Sequence, residues 1–170
     1  ASFTTAVNNP YFPLEPGAQW VYEGRTEDGL ERTVVEVTDQ TREVMGVTCL
    51  VVRDTVTLDG EVIEDTYDWF AQDADGAIWY FGEESSEYEN GEVVSTEGSW
   101  ESGVDGAQPG IVMPAEPKVG DAYRQEYYPG EAEDRAEVLS VTETVTVPVG
   151  SYDDVLMTEE INPLEPDVVE

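Results

Sequence analysis

The sequence predicts an all-β fold: an antiparallel meander of about ten strands, curled into a half-barrel or sandwich and carrying one long Gly/Pro-rich loop. Three observations lead there. Apolar and polar residues alternate with a period of two along most of the chain, with no sustained helical period. Four Asp-Gly or Asn-Gly pairs separate runs of β-formers, and these are the strongest short-range hairpin signals because both central residues of a type I′ turn need positive φ. The 4 Trp, 9 Tyr and 4 Phe are enough large rings to close a core in a chain of 170 residues.

The strands follow in order. Trp20-Val21-Tyr22-Glu23 passes through Asp28-Gly29 into Leu30–Val37. Leu50–Leu58 turns at Asp59-Gly60 into Glu61-Val62-Ile63 and runs on to Tyr67-Asp68-Trp69-Phe70. Asp75-Gly76 precedes Ala77–Phe81, and Asn90-Gly91 divides Ser86–Glu89 from Glu92–Ser95. From residue 98 to 120, Gly and Pro recur with only Ile111-Val112-Met113 as an apolar island, which reads as a long surface connection. Strands resume at Asp121–Tyr128 and Ala136–Thr142, and a last hairpin joins Thr144–Pro148 to Ser151–Thr158. Gly130–Glu137 is the one stretch with any helical character, and its opening Pro-Gly argues against a helix. A strong twist over so many strands makes the sheet curl. Residues 1–12 read as an N-terminal extension and 13–170 as one β-domain. The β-like Asp167-Val168-Val169-Glu170 at the end marks an incomplete C-terminal edge.

Charge narrows the function classes. With 7 basic and 39 acidic residues the net charge is −32. Binding to nucleic acid or to an anionic membrane surface needs Lys and Arg that are missing here. Cations and basic protein partners remain. The expected setting is saline or cation-rich, where salt screens the self-repulsion. The acids are unevenly spread: Asp54 to Glu116 holds 17 of them and no base. The absence of His removes the commonest general base and transition-metal ligand, and with them Ser-His-Asp and Cys-His chemistry. Cys49, in the β-rich run Val47–Val52, reads as a small buried thiol.

Two stretches carry a resemblance: Asn9-Pro10-Tyr11-Phe12-Pro13-Leu14-Glu15-Pro16-Gly17, leading to Trp20-Val21-Tyr22-Glu23, and Val147-Pro148-Val149-Gly150-Ser151-Tyr152. They resemble a loosely defined group of uncharacterised bacterial exported proteins and lipoproteins, and the likeness extends over the hairpins between them. The resemblance implies an exported all-β domain at an extracellular, periplasmic or cell-surface location, and it implies no activity. Members of that group continue into a Tyr-Tyr-Ala-Pro-Gly-Val-Gly strand that this sequence lacks.

Two patterns carry specific chemistry. Asp73-Ala74-Asp75-Gly76 has the Asp-x-Asp-Gly opening of a calcium loop. The apolar Ile78–Phe81 interrupts any EF-hand spacing, so the metal candidate is a weaker calcium site of Asp73, Asp75, Glu83 and Glu84. The competing and commoner reading is a type I′ turn with an acidic flank. Ser2–Val7 alternates like a short strand, which offers self-assembly by β-strand addition to the C-terminal edge of another copy; the competing reading is a frayed terminus. The leading expectation is an exported, acidic, non-enzymatic binding or surface-structural domain without a cofactor, calcium excepted. The alternatives are a calcium-dependent or carboxylate-based enzyme on extracellular polymers and an assembly subunit.

Overall fold

The computed structural model describes residues 2–164, so the expected strand at Asp167–Glu170 lies outside the described residues. It contains strands and no helix: β1 (Phe3–Thr4), β2 (Gln19–Arg25), β3 (Leu30–Val44), β4 (Val47–Leu58), β5 (Glu61–Asp73), β6 (Ile78–Glu89), β7 (Glu92–Ser95), β8 (Trp100–Glu101), β9 (Gln108–Met113), β10 (Ala122–Arg124), β11 (Glu126–Tyr127), β12 (Arg135–Val147) and β13 (Gly150–Ile161). The main sheet runs β11-β9-β6-β5-β4-β3-β2, with β1 added to β5 and both β7 and β8 added to β6; a second sheet runs β10-β12-β13. All pairings are antiparallel, so the expected curled meander is the observed fold.

The turns use the expected chemistry at two places and depart from it at two others. Asp59-Gly60 and Asn90-Gly91 both take positive φ at each residue, as a type I′ turn requires. Met45-Gly46 does the same without an Asp or Asn to announce it. At Asp28-Gly29 and Asp75-Gly76 only the glycine is at positive φ, and the loops are longer. The 98–120 stretch is also more ordered than a surface connection. Trp100 is buried and Gln108–Met113 forms β9 against β6, with Gly and Pro setting the turns between them.

Two glycines make this packing possible. Gly82 sits at φ 127° with the Trp100 carbonyl where a Cβ would project, so β8 can lie against β6 only if residue 82 has no side chain. At Gly110 the Gln125 carbonyl occupies the same position, which lets residues 122–127 cross close over β9.

The main sheet is covered on both faces. On the concave face Val37, Leu50, Val52, Phe70, Ile78, Tyr80, Trp100 and Met113 form the larger core. On the convex face Cys49, Val51, Trp69, Ala71 and Phe81 form a second. Phe3 of β1 closes that second core, meeting Trp79 and Phe81 edge-to-face at centroid distances of 6.1 and 5.4 Å. Burial pushes the Cys49 thiol up to about 12, which leaves it inert near neutrality.

Residues 1–12, expected as an extension, are packed into the domain from Phe3 onward. Phe3 and Thr4 pair with Asp73 and Gln72 of the same chain, and Val7 is buried and bridges to Leu14. Asn9, only 3% exposed, donates from its amide to the Gly76 and Pro114 carbonyls at 3.0 Å each and accepts from the Tyr11 amide. This pins the loop 8–14 across one end of the concave face.

Candidate functional site

Register determines which side chains meet on the concave face, because directly opposed residues of antiparallel strands share a side. One row crosses the sheet as Trp20, Val35, Asp54, Thr66 and Ser85; the next runs Val37, Val52, Asp68 and Glu83; a third runs Leu50, Phe70, Tyr80 and Gly110. A β-bulge in β6 beside Gly82 shifts the alternation by one residue and brings Glu83 to the inner face opposite Asp68. The loop 11–14, β9, the 123–125 segment and the end of β13 then roof these rows. The result is a cavity of about 560 Å³.

The cavity is lined by Tyr11, Phe12, Trp20, Phe70, Tyr80 and Tyr123 among other apolar groups, and by the carboxylates of Asp54, Asp68 and Glu160 and the amide of Gln125. Among the described residues no Lys or Arg reaches it. Among the described residues the ion pairs join Arg32 to Glu23, Arg42 to Glu84 and Glu101, and Arg53 to Asp65, all away from this wall.

Carboxylates crowded together without a base become hard to ionise. Burial first, moderated by the hydrogen bond from Tyr80, and then the charges of Asp54 and Glu64 push Asp68 up to about 7. Burial and the neighbours Asp68 and Glu126 push Glu83 up to about 8. Glu126 rises to about 7, chiefly by burial and the charge of Asp134, and Asp54 to about 6 by burial and the charges of Glu64 and Asp65. Tyr80 donates its hydroxyl to Asp68 Oδ1 at 2.6 Å, and burial and Asp68 raise the phenol well above its ordinary range. Two buried acceptors in this wall, Asp54 Oδ1 and Gln125 Oε1, have no hydrogen-bond partner among the described residues.

The four residues expected to hold calcium do not converge. Asp73 Oδ1 accepts from the amides of Asp75, Gly76 and Ala77 at 2.9–3.0 Å, and Oδ2 accepts from the Trp79 indole at 2.8 Å. Partial burial raises its pKa, but the Trp79 indole and the Ala77, Asp75 and Gly76 amides outweigh this and hold the carboxylate below the ordinary range. Its acceptors are thus committed to shaping the β5–β6 turn. Glu83 lies on the concave face, about 16 Å along β6 from its start beside that turn. Glu84, one residue on, points to the convex face and pairs with Arg42 at 3.6 Å. Among the described residues no group of three or more acids, Cys or His is arranged to hold a metal.

Asp54, Asp68 and Glu126 were not singled out in the sequence, although the first two left a signal. In Leu50-x-Val52-x-Asp54 and in Asp68-x-Phe70 an acid continues an inward apolar stripe. The bulge that turns Glu83 inward leaves no such trace. No protein-family model matches this chain, and no curated protein or solved structure matches it either.

Proposed function

We propose that this chain is an exported, non-enzymatic binding domain, stationed in the periplasm, outside the cell or at its surface, that holds a small amphiphilic ligand between its two sheets. One observation carries the reading: a cavity of about 560 Å³ lies on the concave face, walled by aromatic rings and a few convergent polar groups. Its volume and lining fit the range of small-molecule pockets. The non-enzymatic part draws on the lack of His and on the inert Cys49. The location draws on the resemblance and on the charge of −32, which suits saline surroundings.

The test uses Nile red, a neutral dye that fluoresces in apolar surroundings. Titration should give one saturable site, with quenching of tryptophan emission because Trp20 lines the cavity. Thr158→Trp, which places a large ring at the half-buried rim of β13, should abolish binding. Non-saturable binding, or binding indifferent to Thr158→Trp, would refute the reading.

A second reading, a carboxylate-based hydrolase of extracellular polymers, has one observation in its favour. Asp68, held near pKa 7 inside a cavity, has the ionisation of a general acid. Release of reducing sugar from polysaccharides, lost in Asp68→Asn, would establish it in place of the binding role.

A further inference from the structure

We infer that the cavity's ligand is an organic ammonium ion carrying an apolar body, recognised by aromatic faces and by the carboxylates of the cavity wall. The inference rests on the binding role proposed above and names the ligand class of the same cavity.

Three independent features of the lining converge on it. The first is the inventory of polar groups. Asp54, Asp68 and Glu160 line it, and among the described residues no cationic side chain reaches it. Asp54 Oδ1 and Gln125 Oε1 are buried acceptors without partners among the described residues. Unpartnered acceptors within the wall add to the negative potential of its carboxylates, so the cavity favours a cation and rejects an anion.

The second is the aromatic wall. Phe70 and Tyr80 stack with centroids 4.9 Å apart, and Trp20, Tyr22, Phe12 and Tyr123 border the same space. Ring faces attract alkylammonium groups through their quadrupoles, and a cage of several rings is the recurring way proteins hold such ions. A bare metal ion would need several oxygens at fixed short distances and gains little from rings. The third is size. About 560 Å³ far exceeds a single ion and suits a cation with a hydrocarbon or aryl body.

The charge is placed by register. Asp54 and Asp68 lie on adjacent strands in neighbouring rows of the concave face, next to Val35 and Val52. A cation held there touches carboxylate on one side and an apolar wall on the other.

Calorimetric titration of the full chain at pH 8 and 0.15 M NaCl compares phenyltrimethylammonium with tert-butylbenzene, its uncharged isostere. The ammonium ion should bind at least tenfold more tightly. In an Asp54→Asn, Asp68→Asn double variant, with folding checked by circular dichroism, that advantage should shrink to within about twofold. Should the double variant fail to fold, Glu160→Gln at the half-buried rim should cut the advantage two- to fivefold. Equal affinity for the two probes, or no binding of either while Nile red still binds, overturns the ammonium assignment and leaves the binding cavity standing. Calcium displacing the ammonium ion at equimolar concentration overturns it as well. Loss of Nile red binding together with both probes overturns the cavity reading itself.

Discussion

Asp68→Asn should make the unliganded protein more stable at pH 8 and should help it clearly less at pH 5. In the folded chain Asp68 titrates near 7 instead of 3.8, held up by burial and by the charges of Asp54 and Glu64. A carboxyl whose folded pKa is raised binds its proton more tightly in the native state. Its contribution is therefore fully present below about pH 4 and is lost as pH rises towards the folded value near 7. A shift of about three units corresponds to about 4 kcal/mol between the two ends of that window. Asp54 helps raise Asp68, and Asp68 in turn helps raise Glu83 and Glu126, so removing one charge relaxes its neighbours and the individual effect is smaller. Asparagine keeps the shape and can still accept the Tyr80 hydroxyl, which now reaches Asp68 Oδ1 at 2.6 Å. We expect a gain of about 2–4 kcal/mol at pH 8, seen as roughly 5–10 °C in Tm for a domain of this size. The assay is thermal and urea unfolding of both proteins, followed by tryptophan emission at pH 5 and pH 8 in 1 M NaCl, so that surface repulsion is screened. Two results would refute the reasoning: parent stability that is flat or rising from pH 5 to pH 8, or a variant destabilised equally at both.

Three further perturbations probe the parts that support this wall. Gly82→Ala places a methyl on the Trp100 carbonyl at a φ of 127° that L-residues avoid; it should cost about 3 kcal/mol or more in urea unfolding, and a cost below about 1 kcal/mol would show that β8 does not need the close approach. Arg42 lies 3.9 Å over the Trp69 ring and pairs with Glu101 and Glu84 on the convex face, so Arg42→Gln should cost about 1–2 kcal/mol, less in 1 M NaCl than in 0.05 M; equal loss at both salts would assign the effect to packing alone. Asn9→Ala removes the donors to the Gly76 and Pro114 carbonyls and should cost about 2 kcal/mol while weakening Nile red binding, because loop 8–14 supplies part of the cavity wall; unchanged dye affinity would separate the loop from the cavity.

The fold was legible because local signals agreed. Alternation set the strands, and Asp59-Gly60 and Asn90-Gly91 adopt the turns their chemistry specifies. The expected elements that changed share a physical cause: long-range contacts overrode local character. Ile111-Val112-Met113 sits among prolines and glycines yet joins β9, since β6 offered it an edge and Gly110 let the chain cross. Ser2–Val7 alternates like a strand for another copy's edge or a frayed terminus, yet Phe3 and Thr4 pair within their own chain, because β5 and the Trp79-Phe81 face accept Phe3. The candidate site was harder to read. Glu83 and Glu84 look equivalent in sequence, and only the bulge beside Gly82 decides that one faces inward opposite Asp68 and the other pairs with Arg42. Asp73 looked like a cation ligand because Asp-x-Asp-Gly serves both purposes; the backbone amides of its own turn took its oxygens first.

The base-free stretch from Asp54 to Glu116 acquires a physical meaning from this geometry. It spans the strands that build the floor of the concave face, so the lack of Lys and Arg there is also a lack of internal counter-charge beside Asp54, Asp68 and Glu83. A fold selected only for a soluble acidic surface would put its acids on exposed positions, where salt screens them. Here several face inward, with pKa values raised to between about 6 and 8. Holding them there opposes folding near neutral pH, and the opposition is removed by whatever supplies positive charge to the cavity. Binding and stability are thereby linked. A cationic ligand at a hundred times its Kd would add about 2.7 kcal/mol, comparable to the penalty assigned to Asp68 alone. The thermal gain from such a ligand should therefore grow as pH rises from 5 to 8, because only the ionised carboxylates reward it. A gain that stays constant over that range would mean that the inward acids take no part in binding.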